Sequence, residues 1–386
     1  MAKIKQGATF LAAVAATCIA CSSAGDGDDL FPGKSGDNIT NTDSFTGGTP
    51  DGGSGGGAAS AKACTADAEC GSGGTCNAAT KMCACGGVSV PAEIVPANLL
   101  VVLDRSCSMQ SVVSGTKTKW TIAVGALQNL LAKQAGKIRF GLELFPDKVG
   151  AECTQGAVAV PVAAGAEAKI SGLLGGSLTS AGSFFPNGPC VTNIDTAVIA
   201  AESEPSFKDA TRESFVLLVT DGKQSGSCSA GGGDTGTTKA IGALRAKGVD
   251  TFVVGFGTGV DATQMNVFAT AGGQARAGAN KFYDAADEAS LEAALTAIAK
   301  RTLGCTLELA SPPPDGDPSQ LFVFLGSSPD PLARDATHAD GWDYDAAAQN
   351  VTIYGSKCEA LKDGAVERAS VVVGCPGGAP PENPVK

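Results

Sequence analysis

A doubly wound, mostly parallel α/β sheet flanked by helices, with small disulfide-rich modules before and after it, is the fold class the sequence predicts. Three observations predict it. Apolar runs of strand length recur at 99–103, 215–219 and 251–257. Helical patterns alternate with them at 119–133, 193–201, 237–247, 262–270 and 288–301. Two of the apolar runs end in acidic motifs, and open α/β sheets carry their ligand sites at the carboxyl ends of strands.

Composition excludes several functions before any motif is read. The chain has 386 residues, 28 Lys and Arg against 39 Asp and Glu, and one histidine, His338. A single His rules out multi-histidine metal sites and leaves little room for triad chemistry. A net charge of −11 argues against nucleic acid or anionic lipid as the primary partner. Gly is 52 of the residues, close to twice the usual share of roughly 7%, so part of the chain is not expected to pack.

Residues 1–20 read as a signal peptide. Lys3 and Lys5 precede an Ala-rich stretch over 7–20, shorter than the roughly 20 apolar residues that span a bilayer. The end of it, Cys18-Ile19-Ala20-Cys21, resembles the lipobox of bacterial lipoproteins, although the family usually has an aliphatic residue where Cys18 stands. That resemblance implies acylation of Cys21, a lipid anchor in a membrane and, with Ser22 following, an outer-membrane address. Ordinary secretion, with cleavage after Ala20 or Ala24, is the alternative. No later run approaches transmembrane length.

Residues 21–62 are Gly-, Ser- and Asp-rich and are expected to form a disordered tether with a root-mean-square span of about 35 Å. In 63–86, Cys64, Cys70, Cys76, Cys83 and Cys85 crowd together without a Cys-x-x-Cys pair or a His. Disulfides are therefore expected there rather than zinc.

Region 95–303 holds the informative motifs. Strand 99–103 leads into Asp104-Arg105-Ser106-Cys107-Ser108-Met109, and strand 215–219 ends in Thr220-Asp221-Gly222. Between them, Cys190-Val191-Thr192-Asn193-Ile194 precedes a helix. Taken together these residues resemble a von Willebrand factor type A (VWA) domain over 97–303. The family's metal-ion-dependent adhesion site takes an Asp-x-Ser-x-Ser loop, a Thr from a second loop and an Asp from a third. The resemblance assigns those roles to Asp104, Ser106, Ser108, Thr192 and Asp221, with Thr196 as runner-up for Thr192. It implies Mg²⁺, or Mn²⁺ or Ca²⁺, held through hydroxyls, with Asp104 and Asp221 acting largely through bound waters. An ion so held stays electron-poor and accepts an acidic side chain from a protein partner. Mg²⁺ favours six oxygens in octahedral array, and these residue types can supply them. A plainer reading makes Ser106, Ser108 and Asp221 helix caps and turn residues.

Cys107 stands where the family commonly has Gly, and Cys228 lies just beyond the third loop. Both loops emerge on one edge, so Cys107–Cys228 is the expected pair, leaving Cys153 with Cys190; Cys107–Cys190 is the alternative.

Residues 304–376 read as a small β-rich extension stapled by Cys305, Cys358 and Cys375, with strands at 321–325, 341–344, 350–354 and 370–374. Residues 377–386 read as a disordered tail. Asp335, Asp340, Asp343 and Asp345 are candidates for a calcium site, but their spacing favours a solvated acidic turn. Three functions compete. They are a cell-envelope-anchored, non-catalytic module for cation-dependent protein binding or adhesion, a structural envelope protein with a vestigial site, and a secreted hydrolase using Ser106 or Ser108. No Gly-x-Ser-x-Gly elbow supports the last.

Overall fold

The computed structural model of the chain describes residues 63–66, 69, 74–77, 81–85, 87–147, 153, 155–187, 190–313, 316–366, 368–374 and 380–385. The expected signal segment, the tether, Cys21, Cys70 and Cys375 lie outside them, as do the side chains of Cys83 and Cys85.

Cys64 is joined to Cys76 beside a hairpin of β1 (Gly74–Asn77) and β2 (Met82–Cys85). Two three-residue strands follow, β3 (Val88–Val90) and β4 (Ala92–Ile94). All eight residues of β5 (Ala97–Asp104) are buried, as a continuous apolar run covered on both faces requires. A hairpin of β6 (Val112–Ser114) and β7 (Lys117–Thr118) delivers the chain to α1 (Lys119–Lys133). The Thr118 hydroxyl caps α1 by accepting the Thr121 N–H. Then come β8 (Ile138–Phe145), β9 (Val160–Ala163), α2 (Glu167–Gly176) and α3 (Ile194–Ala201). They lead to β10 (Ser214–Thr220), α4 (Gly233–Ala246), β11 (Val249–Phe256) and α5 (Ala262–Ala271). The series ends with β12 (Tyr283–Ala285) and α6 (Glu288–Thr302), which opens on a capping box of Asp287 and Ser290.

Six strands form one sheet in the order β12-β11-β10-β5-β8-β9. Every pairing in it is parallel except β8 with β9 at the edge. The chain enters at β5, goes to β8 on one side, and returns to build β10 and β11 on the other. Residues of α1, α2 and α6 pack on one face and residues of α3, α4 and α5 on the other. Leu99, Leu100, Val102 and Leu103 are fully enclosed between these layers. Each such side chain contributes about 1.5–3 kcal/mol relative to exposure. An α/β fold with a mostly parallel sheet is therefore present.

After α6 come β13 (Thr306–Leu309), β14 (Leu321–Leu325), β15 (Gly341–Asp345), β16 (Asn350–Tyr354), α7 (Gly355–Lys362) and β17 (Ala369–Val373). They do not stand alone. The sheets β15-β16-β13-β4 and β14-β17-β3 share one apolar cluster, with Val90, Leu307, Leu309, Val323, Trp342, Val351, Ile353 and Val371 inside it. Both sheets are antiparallel, and β13 and β16 alternate buried with half-buried or exposed positions, the period of a one-faced strand. Strands β3 and β4, which precede the α/β unit, are thus built into the module that follows it. The α/β unit is an insertion between β4 and β13, which pair directly (Leu307 opposite Ile94), and Val95 N–H donates to the Thr306 carbonyl at 2.8 Å. Cys305–Cys358 ties the start of β13 to α7. The chain end returns to this module instead of trailing from it: Asn383 Nδ2 donates to the carbonyls of Gly326 and Ser328.

Candidate metal centre

The centre is built where β5 and β10 end side by side. Their register sets Val219 opposite Leu103, so Thr220 falls beside Asp104. Asp104 is fully buried and accepts from Ser106 N–H on Oδ1 at 2.8 Å and from the Thr220 hydroxyl on Oδ2 at 2.6 Å. The first bond folds the chain back at once, and Met109, fully buried, anchors the short 3₁₀ turn at Cys107–Gln110. That turn brings Ser106 Oγ to 2.9 Å from Ser108 Oγ. Ser108 Oγ then donates to Asp221 Oδ1 at 2.7 Å, bridging the first loop to the third.

The Ser106 hydroxyl makes no capping bond to the backbone of the 3₁₀ turn it precedes. Asp221 caps no helix either: its other oxygen, Oδ2, takes a hydrogen bond from Lys119 Nζ at 2.7 Å. A role confined to capping and turning therefore does not account for these side chains.

The second loop arrives through Thr192. Its N–H donates to Ser225 Oγ and its carbonyl accepts Ser225 N–H, which fastens it to the segment after Asp221. A Cβ placed on Gly222 would lie 3.5 Å from Thr192 Oγ1, so this hydroxyl faces the Asp221 turn. The Thr196 hydroxyl is instead held by Asn193 within the first turn of α3, accepting from Nδ2 at 2.8 Å. Position 192, not 196, is the one brought to the centre. Asp195, which no motif singled out, fixes the loop from behind: it is fully buried and accepts Gly233 N–H on Oδ2, tying α3 to α4.

Two disulfides pin the loops, and their pairing corrects the expected one. Cys107 is joined to Cys190, and Cys153 to Cys228. Once Thr192 is set beside Asp221, Cys190 two residues earlier falls over the first loop, with its Cα 4.8 Å from that of Cys107. Cys228, beyond the Ser225 anchor and held at its carbonyl by Gln224, meets Cys153 instead. Shared exit edge alone did not discriminate between the two partners.

Electrostatically the centre is tense. Burial, and secondarily the charge of Asp221, push the Asp104 carboxyl up to about 7 against the pull of its bonds from Thr220 and Ser106. Two carboxylates share this buried point, and one ammonium, that of Lys119, is bonded to one of them, Asp221. The donors present, hydroxyl and carboxylate oxygens only, suit a hard divalent ion of the Mg²⁺ or Mn²⁺ kind. Among the described residues no three His, Cys, Asp or Glu side chains gather as a metal site, so any ion here must rely on the Ser and Thr hydroxyls.

The other candidates do not assemble. Asp343 pairs with Arg334 and with His338, Asp340 caps Ser356, and Asp345 turns onto the N–H groups of Ala347 and Ala348. Each of these carboxylates serves its own local contacts, as in a solvated acidic loop. His338 stacks on Tyr354 at a ring distance of 4.4 Å, within the β module. Lys119 is the residue at this centre that the motifs missed. It stands first in α1, where the helix dipole disfavours a cation, and that misfit was the available signal.

The sequence matches no family model and no curated protein. Solved structures do match. One is proximal thread matrix protein 1 of the mussel byssus, at 17% identity and TM-score 0.38 over 61% of this chain. The chain spans only about half of that protein, 51% of its length. Another is BatB from Bacteroides thetaiotaomicron, at 15% identity and TM-score 0.39, covering 53% of this chain and 98% of that one. A third is the manganese-loaded TRAP protein of Plasmodium vivax, at 14% identity and TM-score 0.40, covering 76% of this chain and all of the other.

Proposed function

We propose that this chain is an exported, non-catalytic module of the VWA type that binds a protein partner through a divalent cation. The observation that carries the reading is the convergence of three loops, which sets Ser106, Ser108, Thr192, Asp104 and Asp221 around one point at the end of β5 and β10. Ser106, Ser108 and Thr192 would hold the ion through hydroxyls. Asp104 and Asp221 would balance its charge. A bound divalent cation supplies an electrophilic position that an acidic side chain of a partner can fill. The non-catalytic reading is supported by the Ser106 and Ser108 hydroxyls being turned to each other and to Asp221, and by the single His belonging to the β module. Acylation at Cys21 and display from the outer membrane complete the proposal, with 21–62 as the tether.

The test is calorimetric titration of the purified chain with Mn²⁺ and Mg²⁺, beside Asp104→Ala. Saturable binding near one ion per chain, abolished in the variant, is expected; a folded wild type that takes up neither ion ends the proposal. A structural envelope protein is the second reading, and one observation favours it: Asp221 already has a cation, the ammonium of Lys119.

A further inference from the structure

Lys119 is held in a way that its place in the sequence does not explain. It is the first residue of α1, where the partial positive charge of the helix end opposes an ammonium, and the first turn offers no acid to offset it. Only 9% of it is exposed, and desolvating an ammonium is costly unless a partner of opposite charge is close. That partner is Asp221, itself 1% exposed, at 2.7 Å.

The fold also makes room for the lysine from the opposite side. After β11 the chain turns at Gly257, with φ +85°, where a Cβ would come within 2.7 Å of Lys119 Cε and 3.1 Å of Nζ. Gly259 lies next to the same ammonium, at 3.9 Å from its own notional Cβ. The slot between α1, β10 and the turn after β11 is shaped around a lysine end. Asp221 then has one partner on each oxygen, Ser108 on Oδ1 and Lys119 on Oδ2.

We infer that Lys119 is a resident counter-ion of the centre: its ammonium holds the Asp221 carboxylate in place and competes with a divalent cation for that charge. This rests on the proposed cation site and deepens it. When both acids are ionised, two carboxylates and one ammonium leave the centre with a net charge of −1, whereas the two carboxylates alone would present −2. A divalent ion is therefore taken up more weakly than the acid count suggests. The complex that forms keeps a net positive charge, which strengthens its pull on an acidic partner. With charges separated by a few ångströms in a partly buried site, removing the ammonium should raise cation affinity by about tenfold or more.

The experiment compares wild type, Lys119→Met and Lys119→Gln as full chains. Each is titrated with Mn²⁺ by calorimetry and melted in EDTA and in saturating Mn²⁺. Met fills the slot without charge; Gln also keeps a donor to Asp221 and serves where Met does not fold. Expected are Mn²⁺ binding at least tenfold tighter in the neutral variants and a melting temperature below wild type in EDTA that Mn²⁺ restores. Binding by the wild type with no gain in the folded variants overturns the counter-ion and leaves the cation site standing. Binding by the variants alone supports the counter-ion and removes the wild type's cation dependence. Binding by none of the three overturns both.

Discussion

Asp104 and Asp335 open the same local structure and end in opposite states. Asp104-Arg105-Ser106 and Asp335-Ala336-Thr337 each fold back through a bond from the backbone N–H two residues on to the Asp Oδ1, at 2.8 and 2.9 Å. Both carboxylates also accept a hydroxyl hydrogen bond at 2.6 Å. Yet Asp104 is pushed up to about 7, while Asp335, in an exposed loop, is held well below the usual carboxylate range by Thr337 and the N–H groups of Asp340, Thr337 and Ala339. The two-residue turn is common to both; Asp335 takes further N–H bonds in an open loop, whereas burial and the neighbouring Asp221 charge outweigh the bonds to Asp104. Asp104 lies under a two-sided α/β sheet with Asp221 beside it, and Asp335 lies on a one-sided β module. A short Asp-x-Ser or Asp-x-Thr motif thus specifies a turn, and its position in the fold decides whether that turn becomes a site.

The largest expected effect tests this directly. Asp221→Ala leaves the Lys119 ammonium buried without a partner, which costs about 3–5 kcal/mol. Asp343→Ala removes an exposed pair with Arg334 and His338, worth less than about 1 kcal/mol. Urea unfolding in EDTA at neutral pH measures both. Equal losses would mean that burial does not separate the two acidic regions.

The disulfides sharpen the comparison at the next level. Cys107–Cys190 closes the first loop onto the second, and Cys305–Cys358 closes the β module. Replacing either pair by Ala is expected to cost about 2–4 kcal/mol. Only loss of the first should also weaken Mn²⁺ binding, by severalfold, because the Thr192 loop would lose its covalent tie to the first loop. A weaker cation affinity in the Cys305→Ala, Cys358→Ala chain would mean that the two regions are coupled through their shared connections.

The difference between the regions also explains what could be read from the sequence. Strands β5, β10 and β11 are continuous apolar runs, so Asp104 and Asp221 could be placed at strand ends from local pattern. Strand β8 is equally buried, but Arg139, Gly141 and Glu143 interrupt its run and hid it. Strands β3 and β4 have three residues each, and their partners, such as Val371 opposite Val90, lie far along the chain. No local periodicity reports a pairing of that kind, so the inserted arrangement was invisible. Lys119 was read as an ordinary helix residue, because its partner comes from the third loop. Choosing between Cys190 and Cys228 as the partner of Cys107 likewise needed the loop positions in space.

The smallest expected effect is a difference in sign. Burial, then the charges of Asp147 and Glu204, hold the Glu143 carboxyl well above its ordinary 4.5. The folded chain keeps that proton after the unfolded chain has released it, so its stabilising contribution is complete below pH 4.5 and is lost as pH rises through the folded value. Asp335 is shifted the other way, so its contribution is complete above its ordinary 3.8 and is lost as pH falls. Glu143→Gln should therefore flatten the decline of stability on the alkaline side of 4.5, and Asp335→Asn should flatten only the decline on the acid side of 3.8. Melting temperatures from pH 3 to 8 would show it. The same slope changing in both variants would mean that the two kinds of acid are not held by opposite forces.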